Sequence, residues 1–224
     1  MLIVDYYNRY NITSHIIKHQ LGVAATARML ERVYRGPQIN WTMIHYGALV
    51  HDSANNVREP ICIPESSFID SDGMSQKRSR AAQQMRSRYG SDDFTANQAL
   101  FNEAGLHPQI ARLLADKDKP TEGFPQSPEA KMLELADLLY GHDGPLPFDE
   151  RVRELQTRHN LGPSFAKYCQ RILYDILPHL EKEKLPLITP VYIAAERTSL
   201  LRYDLPMRSG NKETLFSLSK RERL

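Results

Sequence analysis

The chain is predicted to be all-α: one helical bundle over residues 1–205, followed by a polar tail at 206–224. Three observations predict it. Apolar residues recur at spacings of three and four through most of the 224 residues, the period of a helix with one buried face. No stretch alternates apolar and polar residues for the length of a useful strand. Capping residues precede the periodic segments, and glycine or proline follows them.

Taken in order, residues 13–34 place Ile16, Leu21, Val23, Ala24, Ala27, Leu30 and Tyr34 on one stripe behind a Thr13 or Ser14 cap; Gly36 and Pro37 end it. Asn40 caps a helix over 41–53 with the stripe Trp41, Ile44, Ala48, and "SANN" offers its exit. Residues 54–73 read as a long loop with two prolines. Residues 74–90 read as a basic helix ending at a glycine, and 92–104 and 108–116 as two shorter helices around "AGLHP". "EAKMLELADLLY" (129–140) is apolar almost all round, as a buried helix is. Helices at 149–159, 163–184 and 189–204 complete the bundle. Loops of this length suit function better than simple connection.

Composition narrows the class. The chain is 41% hydrophobic and 25% charged, ordinary for a globular protein. A net charge of +2 neither demands nor excludes nucleic acid. Cys62 and Cys169 lie far apart in no metal-like spacing, which fits a reducing compartment. The start, "MLIVDYYNRYN", reaches Asp5 after three apolar residues, too few for a signal-peptide core. No apolar run approaches membrane-spanning length, so a cytoplasmic protein with no membrane partner is expected.

Four residues sit where a polar group is costly. His19 lies between Ile16 and Val23 on the inner flank of its helix. His51 continues the Trp41–Ile44–Ala48 stripe, with Asp52 beside it. Asp137 follows Ala136 in the most apolar helix. An unpartnered buried carboxylate costs several kcal/mol or must protonate. Two histidines and two aspartates from three helices would satisfy one another by holding a cation. Imidazole with carboxylate favours one divalent Mn, Fe, Co, Ni or Zn over Ca or Mg. Taken singly, His19 reads as a core histidine and Asp137 as a salt-bridged acid; the ordered set is what points to a metal.

That set resembles the HD-domain metal-dependent phosphohydrolases: His19 in "SHIIKHQLGVAATARML", His51 and Asp52 in "GALVHD", and Asp137 in "EAKMLELADLLYG". The resemblance covers about residues 9–142. It implies an HD-domain helical bundle, metal roles for those four positions, and hydrolysis of phosphate esters, often of nucleotides, by a metal-activated water. Members with two metals carry further histidines between the doublet and the last aspartate. Here His107 alone stands between residues 53 and 136, at a helix start, which argues for one metal; His15, one turn before His19, is a second neighbour. "GHDG" at 141–144 repeats the doublet in a glycine loop, outside any helical frame.

Some nucleotidase relatives place an acid soon after the doublet. This chain has Asn55 and Asn56, which can hydrogen-bond a phosphate or a water but cannot take a proton. Glu59, Glu65 and Asp118 are the acids in candidate loops. Asp52 and Asn55 are the expected catalytic residues. Lys77 and Arg80, in a run of cations on 75–90, are expected to clamp phosphate oxygens, with a solvated helix face as the plainer reading. Arg9 in "YYNRYN" is similar to an Asn-Arg-aromatic stretch of bacterial deoxynucleotidases; alternatively the segment packs Tyr6 and Tyr10 on the bundle.

The expected function is therefore hydrolysis of a small phosphate ester, a nucleotide foremost. The alternatives are a nucleotide-binding regulatory module that has lost chemistry, and a nucleic-acid binder using the 77–88 run and "KRER" in the tail. Pairing of two chains through the 163–184 helix is the expected route to a homo-oligomer.

Overall fold

The computed structural model describes residues 1–57, 74–118, 123–141, 144–181 and 190–208, of which 74–79, 190, 191 and 193 as backbone alone. The described residues form ten helices in one bundle and no strand, as the periodicity predicts: α1 (Ile3–Arg9), α2 (Ser14–Val33), α3 (Trp41–Val50), α4 (Met74–Tyr89), α5 (Asp93–Ala104), α6 (Pro108–Asp118), α7 (Pro128–Leu138), α8 (Phe148–His159), α9 (Pro163–Ile176) and α10 (Pro190–Leu200). None of them is long and apolar enough to cross a membrane.

The termini of the site-bearing helices follow from local chemistry. The Asn40 side chain accepts from Met43 N at 3.1 Å and starts α3. Ser127 does the same for Ala130 N, with Pro128 at the first helical position of α7. Asp116, near the end of α6, accepts from both Gln126 N and Ser127 N and so fixes where α7 begins. α2 lies against α3, α7 and α10, while α6 backs α3 and α7. α9 covers α7 and α8 lies on α9, while α4 and α5 close over a 3₁₀ turn at Asn55–Val57. The core centres on α7, whose Met132, Leu133, Leu135 and Ala136 are all but inaccessible. Truncating one such leucine to alanine costs about 2–5 kcal/mol.

Close approach of helices is bought with two glycines. A Cβ on Gly22 of α2 would lie 2.0 Å from the Tyr140 ring, and one on Gly47 of α3 would lie 2.9 Å from Leu113. Tyr140 therefore packs onto α2 only because position 22 has no side chain.

Several boundaries differ from the sequence reading. α1 was not predicted: seven residues of "IVDYYNR" are too few to display a helical stripe, and their order comes from burying Ile3, Tyr6 and Tyr7. α3 stops at Val50, and His51–Ala54 turn back, Ser53 N donating to Val50 O at 3.1 Å. The helix expected over 163–184 ends at Ile176, because Pro178 brings no N–H to continue it and a 3₁₀ turn over Leu177–His179 follows. The bundle also continues past residue 205. His107 N donates to Pro206 O at 3.0 Å, and Arg208 N to Gly105 O. The remainder of the expected tail, the 58–73 loop with Glu59 and Glu65, and Cys62 lie outside the described residues.

Candidate metal centre

His19 projects from the second turn of α2, His51 and Asp52 from the turn that ends α3, and Asp137 from the last turn of α7. The three elements bring these four side chains together. His19 Nε2 lies 3.1 Å from Asp137 Oδ1 and 3.5 Å from Asp52 Oδ2. His51 Nε2 lies 3.6 Å from Asp52 Oδ2 and 3.8 Å from Asp137 Oδ2, and the two imidazole rings are 5.3 Å apart. Ligand atoms of His19, His51 and Asp137 all fall within 4.8 Å of one another, a group that could hold a metal ion. Asp52 is within ion-pair distance of both imidazoles.

The tautomer of His51 decides how this group is to be understood. Its Nδ1 is 2.9 Å from the Ala48 carbonyl, which only accepts, so Nδ1 carries the proton. Nε2 is then a lone pair. It is fully buried, has no hydrogen-bond partner, and faces two carboxylates at distances too long for hydrogen bonds. A buried lone pair pointing at two anions is unfavourable unless a cation lies between them. The donor set passes the test for a metal on this atom.

Gln20, the residue after His19, locks the doublet in place. It is inaccessible to solvent; in the amide orientation that satisfies both ends, its oxygen accepts from Asp52 N (3.2 Å) and Ser53 N (3.1 Å) and its nitrogen donates to Leu49 O (3.2 Å). Tyr140 stands 6.0 Å from the His19 ring, and its hydroxyl is held by Arg197 of α10.

The floor beside Asp137 is strongly charged. The Lys117 ammonium, from the last turn of α6, lies 3.1 Å from Asp137 Oδ2, 3.3 Å from Glu134 Oε2 and 3.4 Å from Asp118 Oδ1. Burial works to raise the Asp137 carboxyl, but the Lys117 ammonium first and the hydrogen bond from His19 next outweigh it and hold it well below the usual carboxylate range. Burial also opposes charge on Lys117; Glu134, Asp137 and Asp118 overcome it and push the ammonium's pKa well up. For Glu134 and Asp118 burial wins, and both carboxyls are raised despite Lys117. Three carboxyl groups thus stand around one ammonium, with Asp52 acting on it from farther away.

The group opens into a cavity of about 680 Å³, within the range of small-molecule sites of roughly 300–1,000 Å³. Asn55 and His15 line it near the doublet, Phe94 and Asn97 come from α5, and Phe165 and Tyr168 from α9. Arg151 and Arg158 of α8 form its basic wall; both pair with Glu154, and the Nε of the buried Arg151 has no partner.

The other expected site residues lie elsewhere. Arg9 is exposed with its guanidinium over the Tyr10 ring, and Tyr6 and Tyr10 are buried, so "YYNRYN" packs on the bundle. Asn56 is buried and accepts from Thr13 Oγ1 at 3.1 Å, because the 3₁₀ turn sends it away from Asn55. Arg80 is exposed on α4 and is not in the cavity wall, while the Lys77 side chain lies outside the described residues. His107 Nδ1 accepts from Gln109 N at 3.3 Å, a capping role at the start of α6. Lys117, Glu134, Gln20, Arg151 and Arg158 were not picked from sequence. Glu134 left a trace there: it stands one turn before Asp137 in the same apolar helix. The chain matches no protein-family model, no curated protein and no solved structure.

Proposed function

We propose that the chain is a metal-dependent phosphohydrolase of the HD-domain type, acting on a phosphate ester and foremost on a nucleotide. The observation that carries this reading is the buried, partnerless His51 Nε2 facing Asp52 and Asp137, which with His19 line a 680 Å³ cavity. His19, His51, Asp52 and Asp137 would hold one divalent transition metal, whose nitrogen and oxygen donors suit Mn, Fe, Co, Ni or Zn. Such an ion supplies Lewis acidity toward a phosphoryl group and lowers the pKa of a water it binds.

The chain's own residues supply the rest. In ester hydrolysis water adds to phosphorus, the P–O ester bond breaks, and the leaving oxygen takes up a proton. Asp118 lines the cavity and is the acid there that could pass a proton to that oxygen. Asn55 can orient a water or a phosphoryl oxygen. Arg151 and Arg158 take the anion-clamping role that the sequence suggested for Lys77 and Arg80. Phe94, Phe165 and Tyr168 offer faces for a base.

The test is metal analysis of purified protein together with turnover over nucleoside mono-, di- and triphosphates and cyclic nucleotides, for wild type and Asp52→Ala. Bound metal with turnover that Asp52→Ala abolishes is expected; undiminished turnover in the variant removes the proposal. Asn55 in the cavity wall, where an acid would stand in an active relative, favours a second reading: a metal-loaded nucleotide sensor. It predicts no turnover on that panel but a raised melting temperature with one of its members.

A further inference from the structure

The charged floor suggests why one metal would be enough. Asp137 is shared in two directions: Oδ1 faces His19, whereas Oδ2 faces both the partnerless His51 Nε2 and the Lys117 ammonium. A carboxylate that divides its oxygens between two cations is how adjacent metal ions are bridged, and two-metal hydrolases hold such ions about 3.5–4 Å apart. Here the group beside Oδ2 is the Lys117 nitrogen. Lys117 Nζ has a carboxylate oxygen from each of Asp118, Glu134 and Asp137 within 3.4 Å, and the residue keeps only 9% of its surface exposed.

We propose that Lys117 is a built-in second cation: its ammonium fills a position that Asp118, Glu134 and Asp137 would otherwise offer to a second metal ion, and so fixes the centre at one. The proposal rests on the metal centre read above. The structural reasons are specific. Three carboxylates from the ends of two helices converge there, and no other ammonium or guanidinium of a described residue pairs with any of them. The ammonium is compact, and its three protons match three acceptors. The oxygens stand at ammonium distances, longer than the roughly 2.0–2.2 Å of metal–carboxylate bonds, so a metal taking Lys117's place must draw them inward. Because Lys117 also lines the cavity, a phosphoryl group bound there meets a fixed positive charge on this side whatever the metal supply.

The test uses the full chain, stripped with EDTA and titrated with Mn²⁺. Calorimetry and metal analysis after gel filtration give one ion per wild-type chain. Lys117→Ala takes two, with the spin–spin coupling of an ion pair in its EPR spectrum. Glu134→Gln, which removes a partner of Lys117 but no ligand in this assignment, keeps one ion at an affinity within about threefold of wild type. Two ions in wild type, one ion in Lys117→Ala, or loss of the ion in Glu134→Gln overturns the proposal. If circular dichroism finds Lys117→Ala unfolded, Lys117→Gln, which keeps most of the length of the side chain without its charge, is titrated in its place and is likewise expected to take two ions. His51→Ala separates the two claims. If it keeps its ion, the metal centre itself is misread; if it loses the ion while Lys117→Ala gains none, only the role of Lys117 falls.

Discussion

Helix α2 carries a polar cluster at each end of its buried face, and the two are built on opposite plans. Toward the C-terminal end, Arg28 donates to Glu196, Ser199 and Tyr203, each at 2.5 Å, and stacks over the Tyr203 ring. Arg32 takes the other oxygen of Glu196 at 2.7 Å. Burial would raise the Glu196 carboxyl, but Arg28, Tyr192 and Arg32 bring it below its ordinary value. Two cations share one anion, and that anion is fully engaged. About two and a half turns earlier, His19 joins a cluster in which a buried lone pair on His51 faces two carboxylates. Both clusters stitch helices together. His45 Nε2 beside the first also lacks a hydrogen bond, but it faces the single, part-exposed Glu31; only in the second does a buried lone pair face two carboxylates, and that incompleteness distinguishes a place for a ligand from a structural network.

The largest expected effect breaks the incomplete cluster. His51→Ala should weaken metal binding by roughly 100-fold or more, beyond the 10–100-fold usual for losing a group behind the ligands. The check is calorimetric titration with Mn²⁺ or Zn²⁺. The same metals should raise the melting temperature of wild type but not of the variant. An unchanged affinity would place the ion elsewhere.

Next in size is a substitution that touches neither cluster's charges. Gly22→Ala gains up to about 1 kcal/mol of helix propensity. Against that, its methyl would sit 2.0 Å from a Tyr140 ring that is itself buried and tied to Arg197. Overpacking of this kind costs about 1–3 kcal/mol and sometimes more. A net loss of about 2 kcal/mol in urea unfolding is expected, with weaker metal binding as Tyr140 is pushed off His19. Gly47→Ala meets leucine side-chain ends, Leu113 at 2.9 Å and Leu133 at 3.1 Å, rather than a ring at 2.0 Å, and should cost less.

Arg28→Ala should lower stability by about 2 kcal/mol, since a half-buried charge-assisted network loses its centre. Its metal stoichiometry should stay at the wild-type value, measured on the same preparation. A drop in bound metal would mean that the two ends of α2 are energetically coupled and the comparison is too simple.

Much of this was legible in the sequence, for physical reasons. α2, α3 and α7 announce themselves because their buried faces repeat with the helix, and His19, His51 and Asp137 stand out as polar residues inside those stripes. Lys117 did not. It lies in "ADKDKP", where every neighbour is polar and the composition suggests a loop, yet the helix runs through Asp118 and buries that one side chain. Gln20 gives no signal in the sequence because periodicity says which face a residue is on, not which backbone its amide will bond. Arg80 and Arg151 show the same limit from the other side. Both are arginines of polar helices, and only the packing of α8 on α9 puts Arg151 in the cavity wall and leaves Arg80 in solvent.

The smallest expected effect concerns the complete cluster, through pH. His45, on α3, is buried against Trp41, and Arg28 and Glu196 act on it from the facing helices. Burial first, then Arg28, pulls its pKa down to about 3, with Glu196 opposing. Glu31 lies 3.3 Å from Nε2, but it is more than a third exposed and solvent screens its charge. The folded protein thus keeps His45 neutral down to about pH 3, whereas in the unfolded chain it takes a proton below about pH 6.5. Between those limits the unfolded state binds more protons, so stability is complete above about pH 6.5 and declines as the pH falls. The loss should be on the order of 1–2 kcal/mol by pH 5. Urea midpoints of metal-free protein at pH 7.5 and pH 5.0 measure it, and His45→Gln, which cannot titrate, should remove most of the difference. Equal pH dependence in both proteins would show that His45 does not carry the acid sensitivity, and that the complete cluster is indifferent to protons.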